Sequence, residues 1–239
     1  MSATGVVAAL EFEAHSLGAV GDGSLLKVSG VGSENAARAA RELVAAGVGA
    51  LLSWGVAGAL DPALGCGAVL LPAEVLRPTP ASGSAPLQRY PTCRTWRERI
   101  AAALQPHVPV SAGALLTSAL PVAEAQLKAR LFRDTGAVAA DMESAAVAQV
   151  AAERQLPFIT LRVIVDTASV SLPESVLRMI DPAHAARSAL WRGWTLASAP
   201  RDWGRLLRLA RASRLAQRAL CDCARRGDPM RAPAAPGDI

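Results

Sequence analysis

Acidic side chains adjoin apolar runs at three separated points of the sequence. Asp141 and Glu143 precede an alanine-rich stretch, Asp166 ends the apolar run of residues 158–165, and Glu13 follows the first apolar run. Carboxylates avoid apolar surroundings unless a partner or a reaction requires them there. Carboxylates that converge without a cysteine or histidine cluster suit general acid and base catalysis or the binding of hydroxyl groups. The sequence therefore indicates a candidate acid and base site.

Each acid also has an ordinary structural explanation. Asp141 and Glu143 could start a helix, where a negative charge interacts favourably with the helix dipole. Asp166 could belong to a turn, and Glu13 could be the solvated end of a strand. A metal site is a further alternative, since clustered carboxylates bind hard cations. The chain has no acidic loop with calcium spacing, so we expect no metal.

Short apolar runs alternate with helical stretches along the chain. Predicted strands are residues 6–10, 25–28, 49–53, 69–71, 112–118, 137–140 and 158–165, and predicted helices are residues 36–46, 95–104, 123–133 and 143–154. Residues 54–62 are predicted to form a glycine turn, and residues 77–95 a surface excursion. The alternation predicts an α/β layered domain with a mostly parallel sheet. Ligands bind at the carboxyl ends of such strands, where the acids are expected to meet.

Composition and charge exclude several classes of protein. The 239 residues are 51% hydrophobic and 19% charged, which is enough to bury a large core. Aromatic residues make up only 4%, too few for the stacking platforms of a nucleic-acid binder. Four cysteines without zinc spacing suit a reducing cytoplasm, and the first ten residues lack the basic region of a secretory signal. We therefore expect a cytoplasmic protein that binds no nucleic acid.

The net charge of +5 comes from the end of the chain. Residues 201–239 contain nine arginines and four aspartates, a difference of +5, so residues 1–200 are neutral. Residues 201–226 have helical spacing, with arginines on one side and an apolar stripe on the other. The predicted stripe comprises Trp203, Leu206, Leu207, Ala210, Ser213, Leu220 and Cys221. We expect a catalytic domain over residues 1–200 and a helical tail with a disordered end over residues 201–239.

Two interpretations of this tail remain open. In the first interpretation, the tail is a helix that packs on the domain and exposes its basic face to solvent. The other is a helix lying on a membrane surface, because arginines suit anionic headgroups and tryptophan suits the interface. Trp191, Trp194 and Trp203 are close in sequence and could instead line an apolar entrance to the site.

One family combines these motifs. The stretch "AADMESAAVAQVAAERQLPFITLRVIVDTAS" resembles the signature of the nucleoside phosphorylase and methylthioadenosine/S-adenosylhomocysteine nucleosidase superfamily, in which a Met-Glu pair opens a helix and Arg-x-x-x-Asp ends the next strand. "VVAALEFEA" and "WGVAGALDPALGCGAVLLP" resemble its first strand and its glycine-rich segment. "GVAGALDPAL" and "DMES" are most similar to the hopanoid-associated phosphorylases, which act on adenosylhopane. The resemblance implies a three-layer fold with a mixed, mostly parallel sheet, and a homo-oligomer.

The resemblance also implies roles for individual residues. Glu143 would bind the ribose hydroxyls, with Met142 against the sugar. Asp166 would protonate the purine at N7 or donate a hydrogen bond to it, and Glu13 matches the residue that activates water in the hydrolytic branch. Breaking an N-glycosidic bond develops positive charge on the sugar and negative charge on the base, and carboxyl groups can stabilise both.

The sequence departs from the family pattern at the glycine-rich segment. Ala57 and Gly58 would let backbone amides approach the substrate. Val56, however, stands where a hydroxyl residue often contacts phosphate or water, Ala59 replaces a second glycine, and Val165 replaces a frequent serine. Fewer phosphate donors remain, so the sequence leaves open whether water or phosphate attacks the sugar.

Gly30, Gly32 and Ser33 could bind an anion at the start of the following helix, or form a plain turn between a strand and that helix. We expect no cofactor, with phosphate a candidate co-substrate. The predicted reaction is cleavage of adenosylhopane with release of adenine. One alternative is a nucleosidase for small thioethers such as methylthioadenosine. Another is a noncatalytic nucleotide-binding module, although residues 30–35 lack the third glycine of the dinucleotide fingerprint.

Overall fold

The computed structural model describes residues 3–18, 24–79, 87–172, 177 and 203–233. The strands are β1 (Thr4–Ala8), β2 (Leu25–Val28), β3 (Ala50–Ala59), β4 (Val69–Leu70), β5 (Glu74–Pro78), β6 (Leu87–Pro91), β7 (Val110–Ser111), β8 (Leu115–Thr117), β9 (Ala139–Asp141) and β10 (Phe158–Asp166). The helices are α1 (Glu11–Ser16), α2 (Ser33–Ala45), α3 (Arg94–Leu104), α4 (Ala125–Thr135), α5 (Ser144–Glu153) and α6 (Trp203–Gly227).

All the strands in the described residues belong to one sheet built around β3. The order is β6-β5-β8-β9-β3-β10-β4-β7, with β1 beside the first half of β3 and β2 beyond β1. Pairings along the sheet are mostly parallel, and β4, β6 and β9 each form one antiparallel pair. The mixed, mostly parallel sheet confirms the predicted fold class. The register of β3 and β10 places Asp166 opposite Gly58.

Helices cover both faces of the sheet. On one face α2 and α5 pack over buried residues of β3 and β10 such as Leu51 and Ile164. On the other face α3 and α6 enclose Trp54, which is fully buried. Alternate residues of β3 enter the two clusters, because successive side chains of a strand point to opposite faces. Layering of this kind holds the ends of the strands in fixed positions.

The predicted glycine turn at residues 54–62 is wrong, because β3 continues to Ala59. Residues 54–58 are paired with β10 along one side, and Gly58 and Ala59 pair with β9 on the other. Glycines occur here because neighbouring carboxylates occupy the space of a side chain. A Cβ atom on Gly55 would lie 2.4 Å from Oε1 of Glu13. The glycine-rich segment is therefore a strand that accommodates acids.

The surface excursion predicted for residues 77–95 also needs correction. Within the described residues of that stretch, β5 pairs with β6 in an antiparallel hairpin at the edge of the sheet. Gln88 and Arg89 in β6 are exposed and only Tyr90 is buried. A strand with so few buried residues carries almost no alternating pattern, which explains why the sequence did not reveal it.

The described part of the tail packs on the domain. Helix α6 contacts α1, α3 and β10, and it buries Ala216, Leu220 and Cys223 in the same cluster as Trp54. The buried stripe therefore differs from the predicted one: Ala210 is exposed, and Cys223 rather than Cys221 is buried. The boundary proposed at residue 200, Trp191, Trp194 and residues 234–239 lie outside the described residues. Among the described helices, none has the length and apolar character needed to cross a bilayer.

Candidate active site

A cavity of about 380 Å³ opens where β3 and β10 end. Its lining brings together Glu13 from α1, Glu143 at the start of α5 and Asp166 at the end of β10. Met142, Val56, Ala57 and Gly58 also line it. Gly30, Gly32 and Ser33 are outside its lining, and Gly32 and Ser33 are hydrogen-bonded to Glu143 and Met142. The volume is within the range of small-molecule sites, about 300–1,000 Å³. Acids that are far apart in sequence thus share one pocket.

Glu13 is held by backbone amides on both sides of its carboxylate. Its Oε2 accepts hydrogen bonds from the N–H groups of Ala9 (3.0 Å) and Leu10 (2.9 Å), and its Oε1 accepts one from Val56 N–H (2.9 Å). Only 3% of the residue is exposed. Burial raises the pKa of Glu13, while the positive charge of Arg162 and the three amides oppose that rise. The position of a candidate base is therefore fixed before any substrate binds.

Glu143 joins the cavity to the turn that precedes α2. Its Oε1 accepts a hydrogen bond from Gly32 N–H at 2.7 Å, and Ser33 Oγ donates to the carbonyl of Met142 at 2.8 Å. Gly32 has φ of 102°, a backbone conformation that favours glycine. Burial, followed by the nearby charge of Asp141, raises the pKa of Glu143 to about 7. The turn at Gly32 thus positions the carboxylate of Glu143.

Asp166 is paired with a buried lysine. Nζ of Lys128 in α4 donates to Oδ2 of Asp166, to the carbonyl of Thr167 (2.9 Å) and to that of Val170 (2.8 Å). Lys128 has no exposed surface. Burial raises the pKa of Asp166, and the ammonium of Lys128 opposes that rise. A Cβ atom on Gly58 would lie 3.1 Å from Oδ1, so this glycine makes room for the carboxyl group.

A second buried ion pair, between Arg162 and Asp141, lies beside the cavity. Arg162 in β10 donates to Oδ2 of Asp141 through Nε (3.0 Å) and Nη2 (2.8 Å), and also to the hydroxyls of Ser53 and Ser144. Asp141 Oδ2 further accepts the backbone N–H of Ser144, at the start of α5. Asp141 is thus a helix-start acid, as expected, and its charge is balanced by Arg162.

The sequence motifs gave neither buried cation a role, although each cation had a signal. Lys128 shares a helical stripe with Leu131 and Phe132, which face the core at spacings of three and four residues. Arg162 interrupts an otherwise apolar run, and a charge inside a buried strand requires a partner. Within the described residues, no group of three or more histidines, cysteines, aspartates and glutamates is arranged to hold a metal.

Comparison with known proteins identifies the family. The family model described as the Phosphorylase superfamily matches residues 8–189 of the chain. The chain belongs to the Phosphorylase superfamily. Membership places it among enzymes that cleave glycosyl bonds, and Glu13, Glu143 and Asp166 lie within the matched region. No match to a curated protein sequence reaches significance.

Solved structures share the superfamily fold with this chain. Futalosine hydrolase of Helicobacter pylori aligns with a TM-score of 0.68 at 16% identity, over 94% of this chain and 97% of that one. The 5′-methylthioadenosine/S-adenosylhomocysteine nucleosidase of the same organism gives 0.68 at 16% identity, over 94% and 98%. An enzyme of Francisella philomiragia described as a putative nucleosidase of the same kind gives 0.64 at 20%, over 82% and 99%. At these identities, the comparison establishes the fold of this superfamily member.

Proposed function

We propose that this enzyme cleaves the N-glycosidic bond of a purine nucleoside, and that its substrate is adenosylhopane, from which it releases adenine. The observation that carries the proposal is the shared cavity of Glu13, Glu143 and Asp166. These acids come from three elements, and each has a pKa raised by burial. Carboxyl groups with raised pKa values can exchange protons near neutral pH.

The roles implied by the sequence resemblance give a balanced reaction. Glu143 binds the ribose hydroxyls, with Met142 against the sugar. As the C1′–N9 bond breaks, its electron pair goes to N9, and Asp166 gives its proton to N7. Water forms the new bond to C1′ and loses a proton to Glu13. Adenine leaves with the proton of Asp166, and passage of a proton from Glu13 to Asp166 restores the starting state.

The groups that could bind phosphate already make hydrogen bonds within the site, which favours water over phosphate as the attacking group. Gly32 N–H already donates to Glu143 and Ser33 Oγ to Met142. Val56 offers no hydroxyl, and its amide donates to Glu13. Among the described residues that line the cavity, Lys128 is the cation, and it already has three acceptors. A phosphate ion would therefore have to displace bonds that the site uses.

The apolar part of the cavity supports a nucleoside with an apolar 5′ substituent. Leu10, Phe12, Val122, Leu172 and Leu209 line the cavity beside the acids. Apolar walls stabilise a hydrocarbon group by about 25 cal/mol for each Å² removed from water. The resemblance of "GVAGALDPAL" and "DMES" to the hopanoid-associated enzymes is the reason for proposing adenosylhopane. Methylthioadenosine, with a smaller apolar group, is the alternative substrate.

Incubation of the enzyme with adenosylhopane and with methylthioadenosine, each with and without phosphate, tests this proposal. We expect adenine from adenosylhopane at a rate independent of phosphate, with ribosylhopane as the second product. Phosphoribosyl product that forms only with phosphate would contradict hydrolysis. Faster cleavage of methylthioadenosine would contradict the lipid substrate, and no adenine from either would contradict the activity.

Two neighbouring glutamates provide a matched control. Glu13 lines the cavity, whereas Glu11 on the same helix is exposed. Glu13→Gln should lose hydrolysis because an amide cannot accept the proton of water, and Glu11→Gln should keep it. Equal activities of the two variants would remove Glu13 from the mechanism.

We further propose that the enzyme is a cytoplasmic homo-oligomer that binds membranes peripherally through the tail of residues 201–226. Arg211 and Arg218 of α6 are exposed, and each basic residue near an anionic surface contributes about 1 kcal/mol. Arg211→Glu/Arg218→Glu should weaken the binding to phosphatidylserine vesicles, measured by sedimentation, by roughly tenfold or more. Arg38→Glu/Arg41→Glu in α2 makes the same charge change elsewhere, and equal losses would contradict a role for the tail.

Light scattering of the purified protein tests the proposed homo-oligomer. A monomeric mass would exclude it.

A further inference from the structure

Lys128 connects the candidate acid to the chain that follows it. Its ammonium group contacts the carboxyl of Asp166 and the carbonyls of Thr167 and Val170, and these acceptors come from one continuous segment. Lys128 itself lies in α4, 38 residues earlier than Asp166. One side chain therefore fixes both the carboxyl group and the backbone beyond β10 relative to α4.

The burial of this lysine is costly, which makes its location informative. Removing an ammonium group from water costs several kcal/mol, and good geometry with full hydrogen bonding is needed to offset that cost. Lys128 meets the condition, since it has three acceptors and no exposed surface. An apolar side chain could hold α4 against the sheet at lower cost. The positive charge of Lys128 instead lies against the carboxyl group that the proposed reaction uses.

We propose that Lys128 is a positioning residue for Asp166: it holds Oδ2, leaves Oδ1 to the departing purine, and stabilises the carboxylate that remains after the proton has gone to N7. This inference rests on the proposed function. Both carboxyl oxygens of Asp166 lie beside Gly58 of β3 at the wall of the cavity, 3.1 Å (Oδ1) and 3.2 Å (Oδ2) from a Cβ atom placed there, and the bond from Lys128 is to Oδ2. An ion pair with the product of proton transfer favours the transition state over the ground state, as catalysis requires.

The surroundings of Asp166 determine the direction of its response to pH. Burial favours its protonated form and Lys128 favours its ionised form. The other titratable or charged groups of the site are Cys66 from the β3–β4 connection and Glu13, Asp141, Glu143 and Arg162 around the cavity. Loss of the ammonium charge should raise the pKa of Asp166, so the acid would keep its proton to higher pH but release it less readily.

The test compares Lys128→Met with Arg130→Met, an exposed position on the same helix. In Lys128→Met the alkaline limb of the kcat/KM profile should move up by about 1–3 pH units. Its kcat at neutral pH should fall by roughly 100-fold, the lower range of general-acid effects, with KM little changed. Lys128→Arg should restore part of kcat, and Arg130→Met should match the wild type. Loss of activity with the limb unmoved would show a structural role and overturn the proposal.

A spectroscopic measurement keeps the inference testable if Lys128→Met does not fold or if no nucleoside is cleaved. In the wild type, the ¹⁵N signal of Lys128 Nζ should change as the Asp166 carboxyl, followed by its ¹³C signal, titrates. A ¹⁵N signal that does not follow the Asp166 titration would overturn the pairing. Turnover by the wild type with an unmoved limb in the variant contradicts only the role of Lys128, whereas absence of turnover contradicts the proposed function.

Discussion

Asp166→Asn should abolish release of the purine while the substrate still binds. Asparagine has nearly the shape of aspartate and can still accept a hydrogen bond from Lys128, but it has no acidic proton for N7. General acid catalysis contributes about 10²- to 10⁴-fold, so we expect kcat to fall by that factor. Chromatography of adenine measures turnover, and equilibrium dialysis with the intact nucleoside measures binding.

The exposed Asp134 of α4 provides the control for this prediction. Asp134→Asn makes the same chemical change outside the cavity and should leave kcat unchanged. The thermal unfolding temperature of Asp166→Asn must also be measured, because Lys128 loses its counter-ion in that variant. A folded Asp166→Asn enzyme that retains turnover would reject Asp166 as the acid.

Arg162→Met should destabilise the fold by about 3–5 kcal/mol at neutral pH, as expected when one partner of a buried ion pair is removed. Arg162 is 3% exposed and Asp141 is 6% exposed, so water cannot replace the lost guanidinium. Arg162 also lowers the pKa values of Glu13 and Glu143, which remain above their ordinary values because of burial. Urea unfolding at pH 7 measures the loss.

The pH dependence of this loss gives an independent check. Without Arg162 the ionised acids are less stable, so the deficit should shrink as the pH falls and Glu13 and Glu143 become protonated. Arg89→Met, which breaks an exposed ion pair with Glu74, should cost no more than about 1 kcal/mol. A deficit equal at pH 5 and pH 8, or no larger than that of Arg89→Met, would contradict the assigned role.

The sequence predicted the parts of the fold that repeat a periodic pattern. Strand β10 is an apolar run, and α5 is a continuous alanine-rich stretch, so their type and order could be recognised. The rule that ligands bind at strand ends then indicated Glu143 and Asp166. Their roles came from the resemblance of the motifs, since carboxylates at helix starts are common without any catalysis.

Contacts between distant segments were beyond sequence reasoning. Nothing in residues 54–59 shows that Glu13 fills the space beside Gly55, so the glycines were interpreted as a turn. The helical stripe that Lys128 shares with Leu131 and Phe132 indicates burial but names no partner, and only the fold brings it to Asp166. The bonds from Gly32 and Ser33 to residues 142 and 143 likewise span more than 100 positions. Such pairings depend on how the layers meet, which local patterns do not encode.

The helix α6 has a consequence for biosynthesis. Leu209 and Ser213 of this helix line the cavity, and the carbonyl of Met230 just after it accepts a hydrogen bond from Thr4 of the first strand at 2.5 Å. During translation, Thr4 is synthesised before residues 209–230. A nascent chain therefore contains Glu13, Glu143 and Asp166 before it contains the residues of α6 that line the cavity. We therefore expect translation products that end before α6 to be inactive even when they contain every acid of the site.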